Sequence, residues 1–184
     1  MIASALWAAY PEIKKNTSKK WSFSEPSVED GSDVSHLIAA CPPLDVNSSY
    51  CHFLQSMHFS QTCVLARYND DIAGFVSAYR KPDEPNTLFV WQVAVAPRFR
   101  GKGLASSMLD ELLSRDHLSS INSVETTITE KNDASWAVFQ KLDKSNGERG
   151  EVSTFLEKKT HFKGKQDTEY LYQIPLIELQ PKGR

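Results

Sequence analysis

Three basic residues and two glycines make up most of a six-residue turn at positions 98–103: Arg98, Arg100, Lys102, Gly101 and Gly103. An apolar run, Leu88–Val95, precedes the turn, and apolar residues recur at helical spacing from Leu104 onwards. A strand that leads into a helix through such a turn directs backbone N–H groups, the positive end of the helix dipole and cationic side chains at one point. The sequence therefore predicts a phosphate-binding turn.

Two well-known phosphate-binding turns fit these residues poorly. A Walker loop is excluded because the Gly-Lys-Ser/Thr that ends it is missing. A dinucleotide-binding turn fits in part, since Gly101-x-Gly103-x-x-Ser106 approaches Gly-x-Gly-x-x-Gly and Glu125 lies near the place of the ribose-binding acid. Its third glycine is absent, however, and the turn lies mid-chain after predicted antiparallel strands. An ordinary strand-to-helix turn with exposed arginines remains a further alternative.

The helices and strands predicted on either side of this turn indicate an α/β fold with a central mixed sheet flanked by helices. The run at 88–95 has the composition of a central strand buried on both faces. Helices are predicted after caps at Ser32-Asp33, Asn47-Ser48 and Asn132, and after the turn at Leu104. Further strands are predicted at 62–68, 72–79, 123–129, 152–155 and 169–174. An N-terminal extension at 1–22, one domain at 23–176 and a C-terminal tail at 177–184 complete the predicted organisation.

Composition narrows the classes of function. The chain has 184 residues, enough for one full domain, and 21 basic residues against 23 acidic ones. This balance gives no electrostatic reason to expect nucleic acid or a membrane surface as a partner. Three loosely spaced cysteines indicate neither a disulfide framework nor a metal site. The lysines follow the apolar start of the chain instead of preceding it, so we expect a cytoplasmic protein without a secretory signal.

Arg98-x-x-Gly101-x-Gly103, placed after Val-Ala-Val-x-Pro, resembles the acetyl-CoA signature of the GCN5-related N-acetyltransferases (GNAT). The resemblance implies the GNAT fold, acetyl-CoA as cosubstrate and no metal. It also implies that the turn holds the pyrophosphate, that the backbone beside it holds the pantetheine arm, and that a main-chain N–H near Val93 or Ala94 stabilises the oxyanion. The coenzyme-binding residues expected are Val93, Ala94, Val95, Arg98, Arg100, Gly101, Lys102, Gly103, Leu104 and Asn132. Phe139 stands where many GNAT enzymes have a tyrosine that protonates the leaving thiolate, so the source of that proton stays open.

The acceptor amine must lose a proton, which a carboxylate can accept directly or through water. Glu125, on the strand next to the central one, is the candidate base, although an acid on a solvent-facing strand position is the alternative. Trp91 and Gln92 should point to opposite faces of the central strand, so that one meets the core and the other can contact substrate.

Longer stretches resemble the L-2,4-diaminobutyrate N4-acetyltransferase family of ectoine biosynthesis. They include Cys-Pro-Pro-Leu-Asp at 41–45, Phe-Val-Trp-Gln-Val-Ala-Val at 89–95, Glu-Thr-Thr at 125–127 and His-Phe at 161–162. The resemblance implies transfer of acetyl to the side-chain amine of diaminobutyrate, in the cytoplasm, by a homodimer that takes part in making a compatible solute. Two amines in the substrate call for acids in its pocket. The substrate residues expected are Asp45 for the α-ammonium, Tyr50, Trp91, Gln92, Thr126, His161 and Glu169, with Glu125 and Trp91 at the reacting amine.

Two other functions stay open from the sequence. The same fold can act on another diamino acid or on a polyamine. Alternatively, Phe139 makes an inactive acyl-CoA sensor or scaffold conceivable. Product formation from diaminobutyrate separates the enzyme from the sensor.

Overall fold

The computed structural model describes residues 21–177. Within this range, four helices flank one seven-stranded sheet. The strands are β1 Trp21–Ser24, β2 Val64–Tyr68, β3 Asp71–Arg80, β4 Thr87–Val95, β5 Ser123–Thr129, β6 Glu151–Leu156 and β7 Glu169–Pro175. The helices are α1 Gly31–Ala39, α2 Ser49–His58, α3 Leu104–Leu113 and α4 Asp133–Ser145. The predicted mixed α/β sheet is confirmed.

The sheet has one parallel pair, and that pair comes apart. The strand order is β1-β2-β3-β4-β5-β7-β6, and β4 with β5 is parallel while all other neighbours are antiparallel. Pairing between β4 and β5 ends at Val90 opposite Thr126, although β4 continues to Val95 and β5 to Thr129. Beyond Val90 the two strands are not hydrogen-bonded to each other. The sheet therefore has an opening between the carboxyl ends of its two central strands.

A β-bulge lies at the edge of this opening. Gln92 is opposite Ser77 on β3, whereas Val90 is opposite the next residue, Ala78, so Trp91 has no partner in the register. An extra residue of this kind disturbs the regular alternation of side chains along a strand.

The bulge changes the face to which the second half of β4 contributes. Leu88 and Val90 pack in the core that α3 and α4 cover, whereas Ala94 packs in the smaller core that α1 covers. Val93 and Val95 therefore face the α3–α4 side. Simple alternation would have placed them on the other face of the sheet from Leu88 and Val90. Two side chains of the same strand can in this way line the opening from the helical side.

β4 is less buried than its composition predicts. Trp91 is 45% exposed, and Phe89, Val93 and Val95 are half-buried. The prediction that β4 is buried on both faces is therefore wrong for the side chains around the opening. A tryptophan in a central strand is more often part of the core, but Trp91 lies at the surface of the chain.

Helix α2 buries polar side chains and leaves some of its apolar ones exposed. Its buried side chains are His52, Gln55 and Ser56. Tyr50 and Met57 of the same helix are 69% and 52% exposed. The Ser48 cap is present, since its hydroxyl accepts a hydrogen bond from the Cys51 N–H at 3.3 Å. The cap thus fixes where the helix begins, but an apolar face is left uncovered on this chain.

The boundary of the predicted extension is two residues too late. Trp21 and Ser22 belong to β1, where Trp21 lies opposite Tyr68. The Trp21 ring centroid is 4.9 Å from that of Tyr68 and 5.2 Å from that of Phe99, and this aromatic packing anchors the strand. The rest of the predicted extension, residues 1–20, and tail residues 178–184 lie outside the described residues.

Candidate active site

A cleft of about 390 Å³ lies between the basic turn, the start of α4 and the loop after α1. On its floor are Val93 and Val95, the side chains that the bulge turns to this side. The cleft thus joins the turn to the opening in the sheet. The same cleft is lined by six of the predicted coenzyme residues besides Val93: Val95, Arg100, Gly101, Gly103, Leu104 and Asn132.

The turn has the backbone geometry of an anion site. Gly101 and Gly103 have φ angles of +71° and +76°, which glycine adopts at little cost. Gly103 is the N-cap of α3, and no side chain caps that helix end. The first N–H groups of α3 and its positive dipole end therefore face the cleft without competition from a capping side chain. This is the chemistry that a pyrophosphate requires.

Three predicted coenzyme residues do not line the cleft. Arg98 is paired with Asp71 at 2.9 Å, and both side chains are largely exposed. Its guanidinium and the Lys102 ammonium lie 4.7 and 5.5 Å from the centroid of the Phe99 ring. Ala94 is fully buried on the α1 side, so it can contribute only its main chain. The structure therefore leaves Arg100 as the predicted cation that borders the cleft, with its Nε donating to the Val95 carbonyl at 3.1 Å.

The start of α4 forms the other wall. Asn132 accepts a hydrogen bond from the Ser135 N–H at 3.2 Å, so its side chain caps the helix. Phe139, two turns further on, is 2% exposed and lines the cleft. A phenyl ring has no proton to give, so this position offers no acid for a leaving thiolate.

Glu125 is buried on the other face of the sheet, beside the last paired residues of β4. It is 2% exposed, which excludes the solvent-facing alternative. Its Oε1 accepts a hydrogen bond from Gln173 Nε2 at 2.7 Å, and its Oε2 lies 2.9 Å from Lys81 Nζ. Lys81 also contacts Glu84 at 2.9 Å. Sequence reasoning missed Lys81 because 44 positions separate it from Glu125 and no spacing pattern links a loop lysine to a later strand.

A second acidic group lies near the wide end of the opening. Asp45, in the loop between α1 and α2, is exposed, and its carbonyl accepts a hydrogen bond from Gln92 Nε2 at 2.9 Å. Burial raises the pKa of Glu169 above its ordinary value, and the nearby charges of Asp45 and Asp167 raise it further. Asp45 and Glu169 therefore share one electrostatic environment that favours an added cation. Gln92, predicted to contact substrate, holds the backbone of the Asp45 loop through this hydrogen bond.

The other predicted substrate residues lie in different parts of the structure. Tyr50 and Trp91 are exposed on the chain. Thr126 lies opposite Val90 and Tyr172, which are core residues on the α3–α4 side, so it is on the opposite face from Glu125. His161 is exposed in the β6–β7 loop, where its Nδ1 accepts a hydrogen bond from the Glu157 N–H at 2.8 Å. The structure therefore does not bring Thr126 and His161 to the acids.

Among residues 21–177, no group of three or more His, Cys, Asp or Glu side chains could hold a metal ion. In that range no helix is both long and apolar enough to cross a membrane. The cysteines are free thiols, and burial raises the pKa of Cys63 to about 12, which keeps this thiol protonated and unreactive.

The cleft ends at the splayed pair of parallel strands and lies beside the uncapped start of α3, which is the arrangement expected for an acetyl-CoA site. The model of the acetyltransferase (GNAT) family matches residues 32–143, which is more than half of the chain. The expected GNAT fold is confirmed by this match.

Relatives define the family more narrowly. The chain is 64% identical over 176 residues to the L-2,4-diaminobutyric acid acetyltransferase of Vibrio parahaemolyticus, covering 96% of this chain and 97% of that one. It is 56% identical to the enzyme of the same name from Vibrio cholerae, over 91% of this chain and 96% of that one. The diaminobutyrate acetyltransferase EctA from Paenibacillus lautus, solved with L-2,4-diaminobutyric acid and coenzyme A, is 33% identical, with a TM-score of 0.83 over 90% of this chain and 99% of that one. The chain belongs to the L-2,4-diaminobutyric acid acetyltransferase family.

Substituting Gly103 by alanine is expected to weaken coenzyme A binding about 5- to 30-fold. An added Cβ would meet nothing within 4 Å, so the cost comes from the φ of +76° alone. For a residue with a side chain this conformation costs about 1–2 kcal/mol. The free turn of the variant can avoid the cost by relaxing to another conformation, so coenzyme A binding must restore the strained one and is weakened by that amount. Gly164→Ala is a matched control, because Gly164 has a φ of +82°, equally open surroundings and a place outside the cleft. Calorimetry with coenzyme A should show weaker binding in Gly103→Ala only.

Glu169→Gln is expected to raise the melting temperature near pH 7 while weakening diaminobutyrate binding. Because the folded-state pKa of Glu169 is raised above 4.5, the folded protein holds this proton more tightly than the unfolded chain. The stability contributed by the proton is full below pH 4.5 and is lost as the pH rises through the folded-state value. Melting curves of the two proteins should therefore converge at acidic pH and separate towards neutral pH. Equal melting temperatures at all pH values would contradict this.

Proposed function

We propose that the protein transfers the acetyl group of acetyl-CoA to the 4-amino group of L-2,4-diaminobutyrate and so makes N4-acetyl-L-2,4-diaminobutyrate for ectoine biosynthesis. The observation that carries the proposal is the opening between β4 and β5. It leads from the coenzyme cleft to a face that bears Glu125, Asp45 and Glu169, so that a thioester on one side can meet a diamine on the other. The high identity to diaminobutyrate acetyltransferases supports this substrate.

The reacting amine must be presented neutral. Its pKa near 10 makes deprotonation at pH 7 cost about 4–5 kcal/mol, so a base near the nitrogen is needed. Glu125 is the proposed base. Its burial excludes bulk water, and its contacts to Gln173 and Lys81 fix its orientation. The neutral amine then attacks the thioester carbonyl, and the resulting tetrahedral centre collapses with loss of the thiolate.

The main chain of β4 is proposed to bind the pantetheine arm and to stabilise the oxyanion formed from the acetyl group. Beyond Val90 its backbone groups are not paired with β5, which makes them available to the pantetheine amides. A main-chain N–H near Val93 or Ala94 would stabilise the oxyanion. Phe139 has no acidic proton. The thiolate would therefore be protonated by water or by the proton that the attacking nitrogen releases when the tetrahedral centre collapses.

The second amine of the substrate is proposed to bind Asp45, with Glu169 adding negative charge. Trp91 and Tyr50 are proposed as walls beside the aliphatic stem. Their exposure on the chain supports contact with substrate better than a core role. This arrangement distinguishes a diamino acid from a simple amine by its α-ammonium group.

The direct test is a mass-spectrometric assay with purified protein, acetyl-CoA and diaminobutyrate, ornithine or lysine as acceptor. The product expected is diaminobutyrate acetylated at N4, located by fragmentation, with much slower turnover of the longer diamino acids. Preference for ornithine, lysine or a polyamine would favour a different acceptor. Absence of any product together with tight coenzyme A binding would favour an acyl-CoA sensor, and protection by NAD but not by coenzyme A in thermal melts would favour the dinucleotide alternative.

We further propose that the enzyme is a homodimer. Tyr50 and Met57 of α2 are exposed apolar residues. Val46 and Phe59, in the segments on either side of the helix, are exposed as well. An uncovered stripe of this kind on a helix is typical of an interface. A second copy is the occupant we favour, because it would cover these apolar residues, of which Val46 directly follows Asp45, and so help to shield the substrate from water.

Sedimentation velocity tests this assembly. Met57→Asp should give a monomer, whereas Lys141→Asp, on the exposed side of α4, should leave the dimer intact. A monomeric unsubstituted protein at micromolar concentration would contradict the proposal. We also propose a cytoplasmic location, since free cysteines suit a reducing compartment and acetyl-CoA is supplied there.

A further inference from the structure

The Lys81 ammonium occupies one of the two oxygens of the proposed base. It lies 2.9 Å from Glu125 Oε2, while Gln173 donates to Oε1. We infer that Lys81 is a positioning residue that holds the Glu125 carboxylate in one orientation and balances its charge, so that Glu125 can take the proton of the substrate amine. This inference rests on the proposed function, and in particular on the role of Glu125.

The surroundings of Glu125 leave the charge balance to Lys81. In the sheet, Glu125 is opposite Phe89 of β4 and Gln173 of β7, and neither carries a charge. The next acid across the sheet is Glu151 of β6, which is opposite Gln173 and exposed. A carboxylate that is 2% exposed is strongly disfavoured as an ion unless an opposite charge lies close to it. Within the described residues, Lys81 is the cation paired with Glu125.

Lys81 is itself held from the outside. Its Nζ contacts Glu84 Oε1 at 2.9 Å, and Glu84 is exposed. The hydrogen bond to Glu84 is the main cause that raises the pKa of Lys81, and the hydrogen bond and charge of Glu125 add to it. Lys81 therefore stays charged throughout the range in which an enzyme of this kind works. Glu84 and Glu125 together fix the ammonium between the solvent and the buried base.

An ion pair with a purely structural role would change stability alone. A positioning role makes a different demand, because the chemical step then depends on the contact between Lys81 and Glu125. Loss of Lys81 should therefore lower kcat for diaminobutyrate in a folded variant while KM changes little.

The test compares kcat and KM for diaminobutyrate in Lys81→Met, Lys81→Arg and the unsubstituted enzyme. Methionine keeps an unbranched apolar side chain but removes the charge, whereas arginine keeps the charge. Lys81→Met should lower kcat at least tenfold, about the lower end of what a general base contributes, with little change in KM. Lys81→Arg should keep most of the original kcat. Coenzyme A binding and melting temperature report whether each variant is folded.

A double-mutant cycle with Glu125→Gln decides whether Lys81 acts through Glu125. If it does, Lys81→Met should cost at least tenfold in kcat when Glu125 is present but little in the Glu125→Gln background. Additive losses, or an unchanged kcat in a folded Lys81→Met variant, would overturn the inference while leaving the acetyl transfer intact. An unsubstituted enzyme that forms no acetyldiaminobutyrate would instead refute the proposed function itself.

Discussion

Glu125→Gln is expected to lower kcat for diaminobutyrate about 10²- to 10⁴-fold, the range usually lost with a general base. The amide has the size and shape of the carboxylate and can still accept the hydrogen bond from Gln173 Nε2. It cannot take a proton from an ammonium group at neutral pH. The variant should therefore bind coenzyme A normally and fail at the chemical step, which release of free thiol from acetyl-CoA would measure.

Glu151→Gln is the matched control for this substitution. Glu151 lies on β6 opposite Gln173, so the same change is made one strand further across the sheet at an exposed position. Its kcat should stay within a factor of about two of the unsubstituted value, as is usual for exposed sites away from the chemistry. If Glu125→Gln kept most of its activity as well, Glu125 would be a structural partner of Lys81 and the base would have to be sought at Asp45 or Glu169.

The parts of the site that lie close together in sequence were predictable. The turn at 98–103 joins a strand to a helix directly, so its residue types alone predicted unpaired backbone N–H groups at a helix start, and the structure has an uncapped helix end there. The Asn132 cap follows from local rules of helix structure in the same way. In each case the chemistry depends on backbone geometry within a few residues.

The parts that depend on long-range register were not predictable. Nothing in the order of residues marks the bulge at Trp91, which depends on how β4 pairs with β3 and which moves Gln92 to the Asp45 loop. The contact between Lys81 and Glu125 likewise exists only once the sheet has formed. Thr126 is a different case, because alternation along β5 alone already puts it on the opposite face from Glu125.

The apolar residues of α2 illustrate a different limit. Their spacing correctly predicted a helix, but Tyr50 and Met57 point outward while His52 and Gln55 are buried. Amphipathic spacing shows which residues share a face, and it does not show whether the same chain or a second copy covers that face. The spacing of these residues therefore predicted the helix but not which of its side chains are exposed on the chain.

Asp45→Asn is expected to raise KM for diaminobutyrate about 10- to 100-fold with a smaller change in kcat. A hydrogen bond to a charged group contributes about 1.5–3 kcal/mol, and the substitution removes the charge while keeping the shape. The carbonyl of residue 45 still accepts from Gln92, so the loop should keep its place. Asp70→Asn, at the exposed β2–β3 turn, is the control and should leave KM unchanged.

A shortened acceptor shows whether Asp45 binds the α-ammonium group in particular. 4-Aminobutyrate has the reacting amine and the carboxylate of diaminobutyrate but lacks the α-amino group, so the unsubstituted enzyme should use it poorly. If Asp45 contacts that group, Asp45→Asn should add little to the already high KM for 4-aminobutyrate, because the interaction is missing in both cases. An equal further loss with both acceptors would mean that Asp45 acts at the reacting amine or on the fold of its loop, and the two amines of the substrate would have to be exchanged in the site.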